Sequence, residues 1–229
     1  MTRRLAGAFS LVLLGSALAG CGLSSKGGPT GPAPGVKQVR GTVTRGAVPA
    51  VAVKVKLYDD GSGVQVDSVL TASDGAYGFD GVPAGSWMVK VSGPEATDLG
   101  YVRWFFATSS PGQVVAVPPF DIAAHGFDAL SPADGAAVPR PGFSTPLVFR
   151  WSAYAGPALW SAVYLDDANG DLAWQSPQVP STEASWNGVG NQNSYAGQVL
   201  GVGRWYWRVK LRFAYDVQGA SRQRALDLE

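Results

Sequence analysis

Trp205, Trp207, Val209 and Leu211 alternate one by one with Tyr206, Arg208, Lys210 and Arg212. A period of two sends apolar side chains to one side of an extended chain and polar ones to the other. This stretch reads as a long, half-buried strand. The pattern recurs in Val51, Val53, Val55 and Leu57, with Lys54 and Lys56 opposite, and in Trp87, Val89 and Val91, with Met88 and Lys90 opposite. Turn chemistry separates the runs: Asp59-Asp60-Gly61-Ser62-Gly63, Asp74-Gly75 and Pro83-Ala84-Gly85. Gly 30 and Pro 16 in 229 residues leave room for many such turns, and no helical period appears beyond the N-terminal leader. The fold class is all-β.

The remaining runs fit the same class. Val39, Gly41 and Val43 open the series, and Tyr77 and Phe79 share a face. Tyr101 to Ala107 forms a further strand. Gln113 to Ile122 forms another, interrupted by Pro118-Pro119, which suits an edge or a strand end. Later, Phe149 and Trp151 face one way, and Asn169-Gly170 turns a hairpin between Trp160–Leu165 and Leu172–Trp174. Gly219 separates the long strand from a last one, Ser221 to Leu228. Strands at this spacing predict two β-sandwich domains in tandem, 36–125 and 126–229, with separate cores. A single cysteine excludes an intrachain disulfide and a thiolate metal cluster, so the 46% apolar residues must supply the stability.

Arg3 and Arg4 open an N-terminal segment that is apolar from Leu5 to Ala19 and ends in small residues, the pattern of a secretory signal. Residues 22–35, GLSSKGGPTGPAPG, have no apolar period and read as a flexible tether reaching roughly 20 Å. Leu18-Ala19-Gly20-Cys21 resembles the lipobox of bacterial lipoproteins. That resemblance implies cleavage after residue 20, acylation of Cys21 (palmitate among its chains), and membrane attachment through those chains. Gly22, rather than aspartate, follows the cysteine, which implies sorting to the outer membrane.

Gly41-Thr42-Val43, Thr71 to Phe79 with Asp74-Gly75-Ala76-Tyr77, and Pro83-Ala84-Gly85-Ser86-Trp87 resemble the carboxypeptidase regulatory-like, or transthyretin-like, sandwich. Trp87 stands where that family has tyrosine. Leu130-Ser131-Pro132, Phe149-Arg150-Trp151 and Gly203-Arg204-Trp205-Tyr206-Trp207-Arg208-Val209 resemble fibronectin type III-like domains of bacterial surface proteins.

Catalytic chemistry finds little to work with. His125 is the only histidine, so no two-histidine zinc site can be built, and no G-x-S-x-G elbow accompanies it. Neither a catalytic residue nor a metal or cofactor is expected. Asp167, Asn169 and Asp171 alternate as calcium ligands do, but the downstream glutamate is missing and a hairpin explains them. Trp87, Trp151, Trp205 and Trp207 fall on core faces, whereas Trp104, Trp160, Trp174 and Trp186 are less constrained: a buried core or domain-interface role is expected for each, and a solvent-facing pair among them would instead form a sugar- or protein-binding surface. Lys+Arg 18 against Asp+Glu 17 gives no overall basic field, and no nucleic-acid partner is expected. The expected function is a non-catalytic envelope lipoprotein acting as a structural or protein-interaction module. Alternatives are a carbohydrate-binding surface lipoprotein and an accessory subunit of an envelope complex. The ligand-binding residues are unknown from sequence, with an envelope protein or polysaccharide as the partner.

Overall fold

The computed structural model describes residues 38–142 and 144–229, and within them the chain is all-β, with two short 3-10 turns and no α-helix. The first half contains β1 (Val39–Arg45), β2 (Val48–Pro49), β3 (Lys54–Asp59), β4 (Gln65–Leu70), β5 (Ala76–Phe79), β6 (Gly85–Val91), β7 (Tyr101–Thr108), β8 (Val115–Ala116) and β9 (Phe120–Asp121). β1 lies at the centre of one sheet, antiparallel to β2 and β5 and parallel to β8 and β9. Pro118-Pro119 falls between β8 and β9, as the missing amide donors require. The facing sheet runs β4-β3-β6-β7. Between them Val39, Val43, Phe79 and Phe120 meet Val55, Val89 and Val91, all fully buried.

The second half contains β10 (Ala129–Ser131), β11 (Ala136–Val138), β12 (Leu147–Trp151), β13 (Trp160–Asp166), β14 (Leu172–Gln175), β15 (Glu183–Trp186), β16 (Gly203–Arg212), β17 (Gln218–Ala220) and β18 (Arg224–Leu228). β10-β12-β15 form one layer. Opposite it, β16 pairs β13 on one side and, on the other, β18 along its first part and β17 along its last. A hairpin joins β13 to β14 here as expected, but only Gly170 takes a positive φ, 87°; the turn runs from Asp167 to Gly170, closed by the Gly170 amide donating to the Asp167 carbonyl oxygen at 3.1 Å.

The largest departure from the sequence reading is at Gly219. It does not separate two strands but lies inside β17, and β17 also pairs with β7 of the first half: Gln218 faces Arg103, Gly219 faces Val102 and Ala220 faces Tyr101. One ten-stranded sheet therefore runs through both halves. Gly219 is required by packing, because a Cβ there would lie 2.8 Å from the Phe213 ring. The buried apolar residues of the two halves likewise form one contiguous cluster rather than two separate cores, and the described residues belong to one compact unit.

Candidate functional site

The tryptophans expected on core faces are there: Trp87, Trp151, Trp205 and Trp207 are all buried. Of the four left open, Trp174 and Trp186 are buried too, Trp174 stacked on Phe149 and Trp186 tilted against it. Trp104 and Trp160 are half-buried. Trp104 stacks on Phe106 at 5.4 Å, but both pack against the core and the indole donates to the Tyr215 carbonyl oxygen at 2.8 Å. It is not an open platform for a sugar ring.

His125 contacts Asp121 (Nε2 to Oδ2, 2.8 Å) and sits edge-on to Tyr154. The Asp167 carboxylate closes its own turn: Oδ1 accepts from the amides of Asn169 and Asp171, and Oδ2 accepts from the Tyr195 hydroxyl at 2.8 Å. Among the described residues no group of three His, Cys, Asp or Glu side chains could hold a metal ion. The groove at the junction of the halves is lined by Asp98, Asp128, Arg222 and Arg224, but all four are already engaged: Asp98 with Arg45, Arg222 with the Glu95 carbonyl, and Arg224 with Asp128. Cys21 lies outside the described residues.

The arrangement with chemical potential is one that residue counting conceals. The outward face of the shared sheet collects the cations of four separate strands. Strand register places Lys56 of β3 opposite Lys90 of β6, Lys90 opposite Arg103 of β7, Arg103 opposite Gln218 of β17, and Gln218 opposite Arg212 of β16. Adjacent strands lie about 4.8 Å apart, so the row crosses the sheet at right angles to the strands and passes from one half to the other. Arg212 is paired with Asp216, and the neighbouring Arg208 with Asp166 at 2.7 Å. Lys56, Lys90, Arg103 and Lys210 have no carboxylate within ion-pair distance among the described residues.

Aromatic rings do part of the work that carboxylates would do. Lys90 Nζ lies 4.9 Å from the Tyr101 ring centre, and the Arg103 guanidinium lies 4.9 Å from that of Phe105. Arg103 Nε and Nη2 also donate to Gln218 Oε1, which fixes the guanidinium across the seam. Lys210 Nζ is 3.5 Å from the Tyr164 ring centre. Its cross-strand neighbours are Ala162 and Ala220, small enough for its stem to lie along the sheet.

The electrostatic cost shows in the amines. Burial, then Arg103 and Arg208, pushes Lys210 down to about 7. Burial, then Arg103, Arg208 and Lys56, lowers Lys90. Burial raises Asp166 in spite of Arg208 and Lys210. A lysine lowered in the folded state releases, on folding, a proton that the unfolded chain keeps. Its contribution to stability is therefore worst below pH 7 and improves as pH rises toward 10. Lys210→Met, which keeps the stem and removes the charge, should raise the melting temperature at pH 6. With about 2–4 °C per kcal/mol for a chain of this size, a rise of several degrees is expected, shrinking by pH 9. An equal change at both pH values would show that burying the charge is not the cost.

The alternation singles out Lys54, Lys56, Lys90, Arg208, Lys210 and Arg212 as outward on their own strands. Their adjacency depends on strand order and on β17, which sequence does not supply. Arg103 and Gln218 join the set only through the seam.

No family model matches the chain, and no curated protein matches it. Among solved structures, it is similar to dimeric latent PorU from Porphyromonas gingivalis, with 16% identity and a TM-score of 0.35 over 82% of this chain and 17% of that one. Fibronectin(III)-like modules of Clostridium thermocellum CbhA show 14% identity and a TM-score of 0.31, covering 86% of this chain and 90% of theirs. A streptococcal ancillary pilin shows 11% identity and a TM-score of 0.31, covering 74% of this chain and 51% of its own. Likeness this distant transfers neither ligand nor activity.

Proposed function

We propose that this chain is a non-catalytic module of a bacterial envelope that binds an anionic partner through the outward face of its shared sheet. The observation that carries this reading is the row Lys56–Lys90–Arg103. Like charges directly opposite on neighbouring strands destabilise a sheet. Here three stand in register with no carboxylate in reach, in a chain whose charges otherwise nearly cancel. A row of cations that costs stability and that no carboxylate offsets marks a binding surface.

In this reading residues 1–20 are a cleaved leader and Cys21 carries the acyl chains. Residues 21–35 are the tether, and the regulatory-like sandwich 36–125 and the fibronectin-like sandwich 126–229 act as one body. The outer membrane is the proposed location. The lipobox-like Leu18-Ala19-Gly20-Cys21 supports the anchor. Cys21→Ser should abolish fatty-acid labelling of the protein and leave the leader uncleaved; continued labelling would remove the anchor from the proposal.

The binding reading is tested with the full chain, purified in uncharged detergent, on dextran sulfate. Wild type should be retained and elute with salt. The triple variant Lys56→Gln, Lys90→Gln, Arg103→Gln should elute at markedly lower salt. Equal elution of the two would overturn the assignment of the face.

A further inference from the structure

Resting on that reading, we infer that the ligand of the cationic row is a linear acidic polysaccharide, carrying a carboxylate on successive sugars and lying across the strands. The row has the shape of such a chain. Lys56, Lys90, Arg103, Gln218 and Arg212 occupy consecutive strands in direct register. Their backbones therefore repeat at about 4.8 Å, close to the length of one pyranose unit, and the row accommodates about five units. A polymer with one charge per sugar meets one polar side chain per strand along the whole row.

The chemistry at each step agrees. Lys56 and Lys90 present ammonium groups without a protein counter-ion. Arg103 has two of its nitrogens held by Gln218 Oε1, which leaves the Nη1 side of the guanidinium to receive a carboxylate. The Gln218 amide nitrogen makes no hydrogen bond to the described residues and is a donor suited to a sugar hydroxyl. Arg212 ends the row already paired with Asp216, so the charge demand falls away at that end.

Two other polyanions fit less well. A single-stranded nucleic acid would stack its bases on open rings, whereas Tyr101 and Phe105 have Lys90 and Arg103 over them. An anionic bilayer has no need of charges in a line. Its peripheral partners also bury apolar side chains among the lipids, and the large exposed apolar residues, such as Val48, Leu159 and Val202, are not members of the row.

The probe is polygalacturonate, with its methyl-esterified, uncharged form as control, titrated against the full chain in uncharged detergent. Wild type should bind polygalacturonate and not the ester. The triple variant Lys56→Gln, Lys90→Gln, Arg103→Gln should bind at least tenfold more weakly. Its logarithmic salt slope should fall by about two to three, one step per lost contact. Circular dichroism of the variant should match that of wild type at the assay temperature, which separates lost binding from lost folding; its melting temperature sets relieved repulsion against the two lost Arg103–Gln218 bonds.

Equal binding by wild type and variant would overturn the inference, as would binding of the ester. Tighter binding to single-stranded DNA, or a preference for anionic over uncharged vesicles that the triple variant loses, would overturn the polysaccharide in favour of that ligand. Failure on polygalacturonate with retention on dextran sulfate intact would sink the ligand class and leave the anionic-partner reading standing. Failure on both would remove both.

Discussion

Trp207→Ala should lower the melting temperature of the whole body, not of its second half alone. Trp207 is fully buried on β16, with its ring centre 5.0 Å from that of Phe149. Phe149 in turn stacks on Trp174 at 5.8 Å and tilts against Trp186 at 6.4 Å. Removing the indole opens a large void between the two layers, at a cost of about 3–5 kcal/mol. That is a large fraction of the about 5–15 kcal/mol that holds a domain folded. At about 2–4 °C per kcal/mol, the melting temperature should fall by roughly 6–20 °C. Separate cores would confine the damage to the second half, but β7–β17 pairing and the contiguous cluster couple the halves. Calorimetry should show one transition that moves as a unit. Trp207→Phe should cost less, because it retains a ring and removes an indole N–H that has no hydrogen-bond partner. Two transitions, only one of them displaced, would show that the seam does not couple the halves.

The parts of this fold that are legible in sequence are those decided by local alternation. β3, β6 and β16 each carry apolar residues at every second position, and their inward faces follow directly. The Asn169-Gly170 hairpin and the break at Pro118-Pro119 are legible for the same local reason: φ > 0 in one, lost donors in the other. Val51 does not join its expected strand. Ala52 sits at φ 56°, and β3 starts only at Lys54. β17 is invisible because Gln218-Gly219-Ala220 has no apolar period; the seam is held by backbone pairing on both its edges. β15 is too short to read, so Trp186 looks unconstrained although it is 1% exposed. The candidate site divides in the same way. The outward direction of Lys56, Lys90 and Lys210 is local and readable, but their row is a property of strand order. A near-zero net charge averages that row away against carboxylates that lie elsewhere.

Asp98→Ala should destabilise the protein by about 2–4 kcal/mol, through the same seam. The Asp98 side chain is fully buried and bridges the end of β1 to the loop before β7. Its Oδ1 accepts from Arg45 Nε at 2.7 Å, and its Oδ2 accepts from Arg45 Nη2 and from the Glu95 amide, each at 2.9 Å. That bidentate pair pins a loop whose next residues make the junction: Leu99 N donates to Ile122 O, and Gly100 N donates to Ala220 O on β17. Close packing tightens it further, since a Cβ on Gly93 would lie 2.3 Å from Asp98 Cβ. Breaking a fully buried pair typically costs about 3–5 kcal/mol, and the partial exposure of Arg45, whose freed guanidinium can reach water, lowers the expectation here. Burial alone would raise the Asp98 pKa, but the hydrogen bonds from Arg45 and the Glu95 amide outweigh it and hold the carboxyl below its usual range. A carboxylate lowered on folding contributes stability above its unfolded pKa of about 3.9 and loses it as pH falls through the lower folded value. Wild type should therefore lose this increment only below about pH 4, and Asp98→Asn, which keeps the shape but not the charge, should flatten the stability profile in that acid window. Thermal melts of wild type, Asp98→Ala and Asp98→Asn between pH 2 and pH 7 decide the matter. If Asp98→Ala melts within a degree of wild type at pH 7, the carboxylate does not hold the loop, and the seam rests on the β7–β17 backbone pairing alone.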